Sequence, residues 1–153
     1  TEPMVIRKQC SDRRSGAVAV ETALILSMTI LILFGTFEYG RLLMDWNVLN
    51  NAAREGCRYA LVNNTSPTIN ADVTSVVNSY MGPEIGSFSG WNVTVTGTHN
   101  GVNVPNVNNL VAGDLITVNV SGTYQFMNIV PLFPMPTNFV IASSPTMVCE
   151  GAS

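Results

Sequence analysis

Hydrophobic and polar positions follow three rhythms along the chain. Residues 17–37 (AVAVETALILSMTILILFGTF) are apolar on every side, with Glu21 as the sole charge. A run of about 20 such residues is the length that crosses a bilayer core as a helix. Over 38–62 the rhythm changes to spacings of three and four. Leu42, Trp46, Leu49, Ala53, Gly56 and Ala60 share one face, and Arg41, Asp45, Asn47, Asn51, Arg54 and Arg58 fill much of the rest. That pattern predicts an amphipathic helix. With no Pro between 17 and 62, the two stretches read as one helix of roughly 70 Å at 1.5 Å per residue.

The third rhythm is alternation. Asn63-Asn64-Thr65-Ser66-Pro67 breaks the helix. Residues 71–81 predict a short helix capped by Asn70, with Val73, Val76, Val77 and Tyr80 on one face and Gly82-Pro83 at its end. Residues 91–98, 115–124 and 138–149 then alternate β-branched with polar side chains and predict three strands. The Asn- and Gly-rich 99–113 reads as a long hairpin connection, and the Pro-rich 126–136 as a packed loop. Three successive strands make an antiparallel meander, which is marginal unless one face is covered. The amphipathic helix is the natural cover. The expected fold class is α+β: a long N-terminal transmembrane helix continuing into an amphipathic helix packed on a small antiparallel sheet.

Charge gives this layout a direction. All seven Lys and Arg residues lie at or before Arg58, and 63–153 carries only Asp72, Glu84, Asp114 and Glu150. Ahead of the apolar run, Arg7, Lys8, Arg13 and Arg14 outnumber Glu2 and Asp12. The excess of Lys and Arg on one flank places that flank in the cytoplasm. The expected organisation is a cytoplasmic basic leader (1–16), a transmembrane helix (17–37), an amphipathic continuation (38–62) and an extracytoplasmic α+β domain (63–153). A cleaved secretory signal and a buried soluble helix are the competing readings of the apolar run. The first lacks small residues at a cleavage site, since the run is followed by FEYGRLL. The net charge of −3 excludes a generally basic nucleic-acid binder.

Topology also bears on the three Cys. Cys57 and Cys149 fall outside the cytoplasm, where disulfides persist, and Cys10 falls on the reducing side. If the last strand packs beside the long helix, Cys57 and Cys149 can pair. The competing reading is two thiols, with Cys57 as a small packing residue.

Catalytic chemistry is sparse. The single His, His99, sits in the turn-like THNG without an evident partner, and no metal-type Cys spacing or phosphate-binding Gly motif occurs. No catalytic, cofactor-binding or metal-binding residue is expected. Asn63, Asn64, Asn92 and Asn119 begin N-x-[ST] triplets, read here as chance occurrences.

The junction of leader and helix reads Arg13-Arg14-Ser15-Gly16, then Ala17-Val18-Ala19-Val20-Glu21. A Gly at the membrane edge, four small apolar residues and a Glu at the fifth place resemble a prepilin-type cleavage site between Gly16 and Ala17. A carboxylate inside an apolar span is expensive; Glu21 either registers one subunit on the next or snorkels to the interface. The stretch 13–62, with RSGAVAVE, FEYGRLL and NNAAREGCRYA, resembles the TadE-like family of pilus-assembly proteins. The resemblance implies a membrane-anchored minor pilin or pseudopilin of the tight-adherence (Flp pilus) system, in the bacterial cytoplasmic membrane with its N-terminus inside. It implies no enzyme activity. The implied partners are other pilin-like subunits, the assembly machinery, a prepilin peptidase and membrane lipid. Glu38-Tyr39-Gly40-Arg41 belongs to the resembling stretch; Glu38 and Arg41 can pair across one turn, or Tyr39 can simply anchor the helix at the interface. Thr22 follows Glu21 where major Flp pilins carry Tyr, which favours a minor component. Cys57 takes a place where the family usually has a small residue. A membrane-anchored binding module for a surface glycan or protein is the alternative function.

Overall fold

The computed structural model describes residues 12–104, 107, 110–126 and 139–149. Most of the basic leader with Cys10, and most of the expected loop 126–136, lie outside the described residues. The chain divides into two compact units, Thr1–Tyr39 and Gly40–Ser153. Helix α1 (Asp12–Val62) provides the described part of the first unit and opens the second. In the first unit its side chains are exposed almost throughout, including Leu24, Ile25, Leu33 and Phe37. The hydroxyls of Thr22, Thr29 and Thr36 each donate to the carbonyl four residues back, at 2.8, 2.8 and 2.9 Å. Those polar groups are thus satisfied inside the helix.

The second unit is built around one sheet. Helix α2 (Ile69–Met81) follows α1, and a 3-10 turn over Gly82–Ser87 leads into the strands. These are β1 (Phe88–His99), β2 (Val102–Val104), β3 (Leu115–Tyr124), β4 (Phe139–Ser143) and β5 (Thr146–Val148). All pairings are antiparallel, in the order β2-β1-β3-β4, with β5 also on β3. The α+β architecture is the expected one, and β3 has the expected bounds.

The core lies between the helices and one sheet face. Leu49, Ala52, Ala53, Cys57 and Ala60 of α1 are fully buried, together with Val73, Val77 and Met81 of α2 and Ile116, Val118 and Val120 of β3. Gly56 is what lets the helices approach: a Cβ placed there would stand 2.7 Å from Val77 Cγ2 and 3.5 Å from Val118 Cγ1. The face differs from the expected one at two neighbours. Trp46 is exposed, and Asp45 is buried in its place, because the stripe continuing from Leu42 runs through 45, 49, 52, 53 and 56.

Other details differ for local reasons. Helix α2 is capped by Thr68, not Asn70. Asp72, in its first turn, accepts hydroxyls from Thr68 at 2.8 Å and Ser66 at 3.3 Å, so the turn is tied at its acidic position, where the helix dipole favours negative charge. The 99–113 connection contains β2, joined to β1 by a two-residue turn. Asn100 (φ 50°) and Gly101 (φ 81°) both take the left-handed region, as a type I′ hairpin turn requires. The expected last strand is two pieces, β4 and β5. Pro145 between them has no N–H for the ladder, though its carbonyl accepts Val118 N–H at 3.2 Å.

The expected disulfide is not formed in this structure. Cys57 and Cys149 are both buried free thiols. The Cys57 thiol donates to Pro145 O at 3.1 Å.

Candidate functional site

Apart from Cys149, the residues singled out by sequence fall on α1. Gly16, Ala17 and Glu21 are exposed on its first turns, and a Cβ at Gly16 would meet nothing within 4 Å. In the same unit Glu38 is half-buried and Tyr39 is 60% exposed. One helix among the described residues, from Gly16 to Val62, is long and apolar enough to cross a membrane, and its apolar stretch is uncovered. An all-round apolar helix with no protein cover demands an apolar solvent or neighbour.

In the second unit, Gly40 faces open space and Arg41 turns onto the sheet. An Arg41 guanidinium nitrogen donates to Gln125 O at 3.2 Å, and the guanidinium carbon stands 5.3 Å from the centre of the Tyr124 ring. Tyr124 is fully buried and meets Phe126 and Phe88 edge-on, with ring centres 5.1 and 5.9 Å away. Arg41 is therefore a clamp: its planar cation stacks on an aromatic face while its N–H bonds the end of β3. Asp45, 3% exposed, follows one turn later on the same side of the helix.

Residues 16–58 match the family model described as TadE-like protein. This segment is TadE-like. The match begins at Gly16 and takes in Glu21, Glu38-Tyr39-Gly40-Arg41 and Cys57. No curated protein and no solved structure matches the chain. The TadE-like segment thus provides the uncovered apolar helix and, in the second unit, the small-residue face that packs under the sheet. The sheet itself lies outside the match.

A second polar cluster went unseen in the sequence. At the tip of the β1–β2 hairpin, His99 Nδ1–H donates to both carboxylate oxygens of Asp114, each at 2.9 Å. Asn100 Nδ2 donates to His99 Nε2 at 3.0 Å. Asp114 also accepts Val111 N–H at 2.8 Å. Its own carbonyl accepts Cys149 N–H at 2.7 Å, and Gly113 N–H returns to Cys149 O at 2.9 Å. The hydrogen bond from His99, then that from Val111, holds the Asp114 carboxyl below the usual carboxylate range. Burial, with the Asp114 charge nearby, pushes the Cys149 thiol up, which keeps it unreactive. The cluster borders a cleft of about 300 Å³, but no nucleophile stands against His99, whose two ring nitrogens are both engaged. It ties three loops together. No trio of His, Cys, Asp and Glu among the described residues could hold a metal ion.

Proposed function

We propose that the protein is a membrane-anchored minor pilin-like component of tight-adherence pilus assembly. The supporting observation is a coincidence: the TadE-like match covers the helix whose apolar side chains have no cover in the first unit. In this reading residues 17–37 cross the bacterial cytoplasmic membrane, the basic leader stays inside, and the α+β domain stands outside. Its partners are pilin-like subunits and assembly proteins rather than a substrate.

Processing falls between Gly16 and Ala17, leaving Glu21 as the fifth residue of the mature chain. There its carboxylate meets the new N-terminal amine of a neighbouring subunit, since opposite charges attract strongly where water is excluded. Intact mass of the chain made alongside its prepilin peptidase should lack residues 1–16; an uncut chain in those cells rejects the reading. In the same cells Glu21→Ala should insert normally and lose pilus assembly. Normal piliation would remove the carboxylate from the mechanism.

A further inference from the structure

Among the described residues, the sheet face turned away from the helices carries no charge. It is formed by alternate positions over 92–98 of β1 and 115–123 of β3, with Asn103, Val140, Ala142, Thr146 and Val148 alongside. About a quarter to a third of an ordinary protein surface is Lys, Arg, Glu or Asp, and exposed strands use such residues against unwanted pairing. Here every position is Thr, Asn, Ser, Ala, Val or Leu.

At its centre β1 and β3 bring two similar triplets together in opposite directions. Asn92 stands across from Ser121, and Thr94 across from Asn119, on either side of the Val93–Val120 pair. The result is a near-twofold quartet of two amides and two hydroxyls. Its groups are about 5 Å apart across the strands and about 7 Å apart along them. Asn92, Thr94 and Asn119 are exposed and Ser121 is half-buried. Only Thr94 is engaged, through a long 3.5 Å contact to Asn119 O. No hydrogen bond among the described residues uses the side chains of Asn92, Asn119 or Ser121. Beside the quartet, Ala142 pairs with Ser121, and Val140 lies one alternate position along β4, 67% exposed.

We infer that this face docks a neutral polysaccharide, whose hydroxyls bond the Asn92–Ser121 and Thr94–Asn119 pairs while its C–H faces lie on Val140 and Ala142. Amides offer both donor and acceptor, and hydroxyls offer either, so the quartet matches a ligand that presents both kinds of group. A face without charge matches a ligand without charge. A polyanion or a polycation would find nothing here to pair with.

The full chain in detergent can be run through gels containing dextran, mannan or hydroxyethyl-cellulose, with alginate as the polyanionic control. At least one neutral polymer should retard it, and alginate should not. The Asn92→Ala/Asn119→Ala variant should weaken that retardation by about tenfold or more, the worth of two lost hydrogen bonds, with an unchanged melting temperature. If that variant melts early, Asn119→Asp alone should still weaken retardation while alginate stays unbound. Failure of all three neutral polymers to bind overturns the inference, as does equal retardation by alginate or undiminished binding in a folded variant. Face-to-face pairing of copies in sedimentation, abolished by the double substitution, would overturn it too by assigning the face to self-association.

Discussion

Two stretches of α1 repay comparison. In the first unit its large apolar side chains face outward, among them Leu26, Leu31 and Phe34. From Leu42 to Ala60 one face is buried and most of the side chains on it are small, while Leu43, Met44 and Trp46 stay exposed. A helix meant for lipid or for other helices has no reason to spare large side chains on any side. A helix meant to pack on a second helix and a sheet needs small residues where they approach, as at Gly56 against Val77 of α2 and Val118 of β3. The two demands are written into one continuous helix. The TadE-like match spans both, so that segment holds an uncovered apolar helix together with a packing face.

The sharpest way to break this contrast is to make the same change on either side of it. Leu49→Ala should destabilise the second unit by about 2–5 kcal/mol through the lost burial and the cavity left behind. Leu33→Ala, at a residue 65% exposed, should stay within about 0.5 kcal/mol. Melting of both variants in detergent checks this, and equal losses would dissolve the distinction. A smaller effect is expected at the clamp. Arg41→Ala gives up a stacked cation and a hydrogen bond and should cost about 1 kcal/mol. Arg54→Ala, on the exposed side of the same helix, should change little; the pair of melting temperatures separates a clamp from a solvated charge.

The smallest effect should come from the hairpin cluster, away from α1. Asp114 has a folded pKa below the unfolded value of about 3.9. Its stabilisation is therefore complete above that value and is lost as pH falls through the folded pKa. Wild-type melting should drop on acidification below about pH 4. Asp114→Asn should start lower at neutral pH and lose less over the same range. Parallel acid profiles for the two chains would show that other carboxylates carry the transition.

The sequence was most legible where one physical demand repeats. All-round apolarity marks the helix, and strict alternation gives β3 its bounds. β1 starts at Phe88, earlier than expected, because its register shifts between Ser89 and Asn92, where Gly90 takes φ 62°; a bulge there interrupts the alternation. β2 is three residues inside an Asn-rich stretch and has no rhythm of its own to read. Asp45 looked like surface because an acid ordinarily is. Its burial follows from its place on the stripe through Leu42, Leu49, Ala52, Ala53 and Gly56. The His99–Asp114 pair is fifteen residues apart and forms only once the hairpin and β3 are in place. Pro145 splits the expected last strand, a break which no alternation in NFVIASSPTMVC marks, and Cys57 and Cys149 are free thiols in this structure.

The contact between Cys57 and Pro145 has a consequence in time. It joins residues 88 positions apart, so the wall of small side chains on α1 leaves the ribosome long before the strands that cover it. At about 5–20 residues per second, the interval is on the order of 5–20 s. A face of Leu and Phe left bare that long would invite aggregation. One composed largely of Ala, Gly and Cys presents less apolar area per residue, and so suits a nascent chain that must wait for its own C-terminus.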